Sequence, residues 1–340
     1  MIEKILTKIK DSSALEVQFR LGHKTIAKIK NEWLEIDQNS LGVSEWEDLK
    51  DLCLTNADKL SLETKGHARG IFKTLDQNWS FSFAEYKDCL KAFFSVIPNF
   101  QVLNYIQSPL FWEYVKKQSG IFIITGEKGN GKSLLLRDII LELTKDSPKL
   151  VAIHGHFSSL SMLNTDSVMH LSEETLLWDC SHPIYDGVDQ FVVDLNSVKN
   201  WEKWIRFCEE GRSVYLTLSG LSVENCLEQI RTQLGSQQNL LERFFNVLNG
   251  ICYQTVMGIK EGAVHEFFLV QQSQRTHLSN KKINEVILDY LHQDHLKPYY
   301  QSLNQSIIQA LIRRRIDVKT AFQVSHDPDE LDTQLKRMGL

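Results

Sequence analysis

No stretch of this sequence approaches the ~20 consecutive apolar residues that cross a bilayer as a helix, so a membrane-spanning chain is not expected. The opening Met1-Ile-Glu-Lys-Ile-Leu-Thr-Lys lacks the long apolar core of a secretory leader, which points to the cytoplasm. Positive charge is not in excess: 38 Lys and Arg face 43 Asp and Glu, and a formal charge of −5 argues against nucleic acid as a partner. The one basic run, Arg313, Arg314 and Arg315, reads as a solvated helix face. Cysteine is scattered: Cys53, Cys89, Cys180, Cys208, Cys226 and Cys252 form no Cys-x-x-Cys pair and have no histidine cluster beside them. Neither a disulfide framework nor a structural zinc site is expected. Low-complexity segments and internal repeats are missing as well. What is present is an ordinary globular composition, 42% hydrophobic and 24% charged, over 340 residues, enough for two domains with cores of their own.

One motif dominates. Residues 120–133 read Gly-Ile-Phe-Ile-Ile-Thr-Gly-Glu-Lys-Gly-Asn-Gly-Lys-Ser, an apolar strand that runs into Gly-x-x-x-x-Gly-Lys-Ser. This is a Walker A phosphate loop, Gly126, Glu127, Lys128, Gly129, Asn130, Gly131, Lys132 and Ser133. Its glycines let successive backbone N–H groups converge on the β- and γ-phosphates of a nucleoside triphosphate. Lys132 adds a point charge and the Ser133 hydroxyl offers a Mg²⁺ ligand. The segment Leu134 to Lys145 is apolar at helical spacing, so a helix dipole is expected to aim its positive end at the anion. ATP and Mg²⁺ are therefore the expected cofactors.

The first ~105 residues read as a mixed α/β unit. An amphipathic helix is expected over residues 2–10, with short alternating strands at Leu15–Arg20, Thr25–Lys30 and Trp33–Ile36. A helix near Ser44–Leu54 is followed by expected strands near Leu60–Thr64 and Gly70–Leu75, and residues 93–108, broken by Pro98, look like a joint. Beyond residue 109 strands and helices alternate. Candidate buried strands are Ile121–Thr125, Leu150–His154, Gln190–Asp194 and Ser213–Leu218, the order of a parallel nucleotide-binding sheet. After residue 277 the pattern is mainly helical.

Laid out this way, the chain resembles the type IV pilus retraction ATPases (PilT and PilU) of the secretion-ATPase superfamily, nearly end to end. Ser12-Ser-Ala-Leu-Glu-Val-Gln-Phe is similar to that family's first strand, and Ala68-Arg-Gly-Ile-Phe-Lys to its Ala-Arg-Phe-Arg-Val-Asn strand. Glu209-Glu-Gly-Arg-Ser-Val-Tyr-Leu-Thr-Leu-Ser resembles the strand that the family reads as Glu-Thr-Gly-His-Leu-Val-Phe-Gly-Thr-Leu-His. The closing Ser302-Leu-Asn-Gln-Ser and His326-Asp-Pro-Asp-Glu-Leu resemble its helical tail. The phosphate loop apart, these matches persuade by their order and spacing. The resemblance implies an α/β chain: an N-terminal α+β (PAS-like) domain over 1–105, a RecA-like P-loop NTPase core over 106–280, and a helical C-terminal region over 281–340.

It also implies site residues, and here the chain departs from the family. The Walker B glutamate falls on Asp194, one methylene shorter, which would share the Mg²⁺ with Ser133 or polarise the attacking water; a plain strand-end aspartate is the competing reading. Asp179 is the rival Walker B acid, because it too ends an apolar run. Where the family carries its catalytic Asp box, this chain has His154-Gly-His-Phe-Ser. His154 is the candidate proton acceptor; loss of the catalytic carboxylates, leaving two polar loop histidines, is the alternative. The family's two His-box histidines fall on Arg212 and Ser219. Of the N-domain arginines that reach the nucleotide in the family only Arg69 is kept, and of the Ala-Ile-Arg box only Arg275, with a plain surface arginine as the other reading.

The implied function is a cytoplasmic ring hexamer, bound peripherally to an inner-membrane pilus machine, that couples ATP binding and hydrolysis to movement and acts on a pilus platform protein in retraction and twitching. The alternative is a catalytically degraded ATP-binding accessory subunit that modulates an active PilT-like paralogue.

Overall fold

Alternating apolar and polar residues build the first sheet. Strands β1 (Glu16–Arg20), β2 (Lys24–Ile29) and β3 (Glu32–Ser40) precede two helices, α1 (Val43–Cys53) and α2 (Asn56–Lys65). Strands β4 (His67–Lys73), β5 (Asn78–Tyr86) and β6 (Cys89–Ile97) complete an antiparallel six-stranded sheet in the order β3-β2-β1-β6-β5-β4. Val17, Phe19, Phe81, Phe83 and Phe94 point to one face of that sheet. Trp46 and Leu49 of α1 and Leu62 of α2 belong to the same core. The computed structural model describes residues 9, 14, 16–29, 32–73, 78–87, 89–97, 106, 108–117, 119–145, 150–154, 160, 163, 167–171, 179–194, 200–258 and 261–339. The helix expected over residues 2–10 lies, Ile9 apart, outside them.

Two expectations for this unit fail. Leu60–Thr64 is not a strand but the second half of α2. Thr55 and Asp58 cap the start of that helix reciprocally, and Gly66 at φ 73° ends it. Nor do residues 93–97 belong to a joint, since β6 runs on to Ile97, paired with both β1 and β5.

The chain divides into two units, Met1–Asn99 and Phe100–Leu340. The second opens with α3 (Pro109–Val115) and the wholly buried β7 (Gly120–Gly126), then α4 (Lys132–Lys145). Next come β8 (Val151–His154), β9 (Val168–Leu171), β10 (Gln190–Asp194), α5 (Trp201–Glu209) and β11 (Ser213–Ser219). Helices α6 (Val223–Leu234) and α7 (Gln238–Val247) lead into a long hairpin, β12 (Leu248–Gly258) and β13 (Gly262–Leu269). The remainder is α8 (Arg275–Asn280), α9 (Ile283–His292), β14 (Tyr300–Gln301), α10 (Leu303–Ile312), α11 (Val318–Val324) and α12 (Pro328–Met338).

The eight strands of this unit are ordered β14-β13-β12-β7-β11-β10-β8-β9, parallel from β12 to β9 and antiparallel at the β13 and β14 edge. The four expected parallel strands are present, and the fold is the α+β unit followed by a RecA-like core. The hairpin β12–β13 adds to that expectation. Apolar residues cover both faces of the sheet, as parallel sheets require. Ile121, Phe191, Val193 and Leu216 face α5, α6 and α7, while Phe122, Ile124, Val192 and Tyr215 face α3 and α4. The helical segment from Ile283 onward lies in the same unit as the sheet, to which β14 is paired. Among the described residues no helix is long and apolar enough to cross a membrane.

Candidate functional site

Parallel strands bring their C-terminal ends to one edge of the sheet, and the loop Glu127–Gly131 sits there, between the end of β7 and the start of α4. The turn depends on glycine. Gly131 has φ 74°, and a Cβ on it would lie 2.7 Å from both Gln254 Nε2 and Val256 Cγ2. Gly129 has φ 92°, with nothing within 4 Å of where its Cβ would be, so that side of the loop is open to a ligand. Glu127 and Lys128 are exposed, while Lys132 and Ser133 are half-buried in the first turn of α4.

Lys132 lies folded along its own loop, its Nζ donating to the carbonyls of Gly126 at 2.6 Å and Glu127 at 2.9 Å. Desolvation lowers its pKa, against the opposing pull of the Asp194 and Glu127 carboxylates. A cation desolvated in this way is stabilised by an anion placed beside it. The loop is also held from behind. Gln254, wholly buried on β12, donates from Nε2 to the Asn130 carbonyl at 2.9 Å, and its Oε1 lies 2.9 Å from His265 Nε2 on β13. Sequence reasoning missed both residues. Burial, with Arg315 adding repulsion, pushes the His265 pKa down to about 3, so the ring is neutral and donates from Nε2.

Asp194 ends β10, two strands from β7, and accepts a hydrogen bond from Thr217 Oγ1 at 3.1 Å. Strand alternation puts Asp194 with Val192, and Thr217 with Tyr215, on the face that carries α4. Asp194 pairs with Thr217 and Thr217 with Ile124, so the carboxylate ends its strand at the loop's edge of the sheet, within the field of Lys132. Ser133 and Asp194 are hard oxygen donors of the kind that suit Mg²⁺, and the loop N–H groups and Lys132 suit a polyphosphate.

The other candidates fall elsewhere. Asp179 does not end a strand among the described residues. It sits in an exposed turn, bonded to Ser181 N at 3.0 Å and Ser181 Oγ at 3.1 Å, and its field comes chiefly from Arg206 and Lys203. His154 is the last residue of β8 and is 0% exposed, on the face opposite α4. Its ring centroid lies 5.6 Å from that of Trp204, 6.0 Å from Tyr185 and 6.3 Å from Phe191. Burial pushes its pKa down to about 3, with Lys203 adding to the effect. A ring so enclosed is a poor base for water above the loop. The structure thus sets His154 in aromatic packing. His156 lies outside the described residues.

The two His-box positions lie at opposite ends of β11. Ser219 pairs with Gly126 at the loop end, whereas Arg212 precedes the strand, its guanidinium 4.8 Å from the Phe207 ring centroid. Arg275 is half-buried rather than a surface residue. It donates to the Asn246 carbonyl and reaches Asn249 Oδ1 at 3.5 Å, near the start of β12 and away from the loop. Arg69 is exposed on β4, an edge strand of the first unit.

No protein-family model matches the chain, and no curated protein matches it. Solved structures do. The ATPase DotB of Legionella pneumophila aligns at TM-score 0.70 with 17% identity, over 95% of this chain and 94% of that one. The pilus retraction motor PilT, solved with bound ADP, aligns at TM-score 0.71 with 17% identity, over 98% and 99%. The DotB ATPase of Yersinia pseudotuberculosis aligns at TM-score 0.70 with 12% identity, over 95% and 92%. The chain therefore has, over nearly its whole length, the fold of these ATPases.

Proposed function

We propose that the chain is a motor ATPase of the pilus and secretion type, which binds ATP with Mg²⁺ at the loop 126–133 and hydrolyses it with Asp194 in the Walker B role. The observation that carries this reading is the convergence, at one sheet edge, of the glycine loop, the desolvated Lys132 and the Asp194 carboxylate. In phosphoryl transfer the protein's work is positioning and charge neutralisation. Loop N–H groups and Lys132 would hold the phosphate oxygens, and Ser133 and Asp194 would hold the metal. When bound, Mg²⁺ would neutralise charge on the terminal phosphates. Asp194, held by Thr217, would orient the attacking water.

By the family resemblance the working form is a hexamer in the cytoplasm, docked on an inner-membrane platform protein, with Arg69 supplied towards a nucleotide. Pilus retraction is the particular role proposed. Steady-state phosphate release by the purified chain tests the activity, and light scattering in saturating Mg-ATP tests the ring. A monomer without turnover in both assays refutes the motor.

One observation favours a second reading. His154 is sealed among aromatic rings and Ser219 replaces a histidine, so the water-activating side is poorer than the phosphate cradle. An ATP-binding accessory subunit of an active paralogue would bind nucleotide, hydrolyse little, and alter the turnover of a PilT-like motor when mixed with it.

A further inference from the structure

The loop fixes where phosphates go and leaves the rest of a nucleotide unplaced. Its direction follows from the strand order. Asp194 lies on the β11–β10 side of β7, and β12 lies on the other side. Asp194, in the Walker B role proposed above, would draw the terminal phosphate towards β10. The nucleoside end then leads away, over the part of β12 that pairs with the end of β7.

Two rings meet there. Tyr253 of β12, register partner of Thr125, is 2% exposed, and its hydroxyl lies 3.1 Å from His326 Nε2. The ring centroids are 5.0 Å apart at 63°, so the buried tyrosine props up the histidine from below. His326 itself is exposed, in the connection between α11 and α12. Tyr253 pairs with Thr125, the residue before Gly126, which puts the pair beside the loop, within reach of the Glu127 charge. Tyr253 and His326 are thus an aromatic prop with one exposed ring, on the β12 side of the loop.

We infer that His326, propped by Tyr253, is the stacking platform for a purine base of the nucleotide held by the loop. The inference rests on the phosphate-loop reading above and adds a base subsite to it. Stacking on an aromatic face is tolerant of sequence and geometry and needs no further polar group.

Calorimetric titration of the full chain with a non-hydrolysable ATP analogue and, separately, with inorganic tripolyphosphate tests it. His326→Ala is expected to weaken the analogue about tenfold, leave tripolyphosphate within about twofold, and lose no binding in the His326→Phe variant, which keeps a flat ring. Equal weakening of both ligands by His326→Ala, or an analogue affinity unchanged by it, overturns the inference. Failure of His326→Phe to restore binding does the same. A wild-type chain that binds neither ligand overturns the phosphate-loop reading itself, and the base subsite with it.

Discussion

Gln254 Nε2 donates to the carbonyl oxygen of Asn130 at 2.9 Å, so a buried strand residue grips the backbone of the phosphate loop about 120 positions before it in the chain. The grip is itself oriented, because His265 donates to the Gln254 Oε1 at 2.9 Å. A ligand-binding loop held in this way is pre-organised, and pre-organisation lowers the cost of binding.

Replacing Gln254 by Leu leaves the Asn130 carbonyl and the His265 Nε2 proton without these partners. Each buried polar group so stranded costs about 1–3 kcal/mol. The expected result is a midpoint of thermal unfolding lower by roughly 5–10 °C and an ATP-analogue affinity weaker by about tenfold. Differential scanning calorimetry and fluorescence titration measure the two effects. An unchanged affinity in a folded variant would show that the phosphate itself, and not Gln254, sets the loop.

Lys132 donates to the Gly126 and Glu127 carbonyls, and a bound phosphate would compete with them for its charge. Charge-assisted hydrogen bonds contribute about 1.5–3 kcal/mol each, so Lys132→Ala should lower affinity for a labelled ATP analogue on the order of 100-fold. Undiminished binding by that variant removes the loop from nucleotide recognition.

The contiguous part of this site could be read from sequence, and the part assembled by folding could not. Gly126 to Ser133 is one uninterrupted motif, and β7, β8, β10 and β11 are apolar runs that only a buried parallel sheet explains. Gln254, Tyr253, His265 and His326 join the loop only through strand pairing and the return of the chain from α11. Gln254 and His265 are single polar residues within strands, and no periodicity marks them. Leu60–Thr64 misleads for another reason: Leu-Ser-Leu-Glu-Thr alternates like a strand, but the Thr55–Asp58 cap and Gly66 enclose it in a helix. Composition cannot reveal that His154 points away from the phosphate edge, because its direction depends on strand parity.

That geometry separates three candidate acids and bases. Asp194→Asn should reduce turnover at least ~100-fold, since a misplaced or uncharged group in a near-attack geometry is costly, while nucleotide binding stays within about tenfold. Asp179→Ala and His154→Phe should keep turnover within about threefold. Phosphate release measured for all three variants decides between them, and loss of activity in Asp179→Ala with retention in Asp194→Asn would move the Walker B role.

The same two buried histidines should make the fold acid-sensitive. His154 and His265 are held at about 3 in the folded chain, mainly by burial, against about 6.5 in an unfolded one. The folded pKa lies below the unfolded value, so between pH 6.5 and 3 the unfolded chain binds more protons and stability rises with pH. Their contribution is fully present above about pH 6.5 and is lost as the pH falls. At pH 5 each would have given up about 2 kcal/mol. Urea midpoints between pH 7 and 5 should therefore fall, and fall less steeply in His265→Gln, which cannot take up a proton beside Arg315. An identical pH slope in wild type and variant would mean that His265 titrates alike in both states, and so that its burial does not hold it neutral.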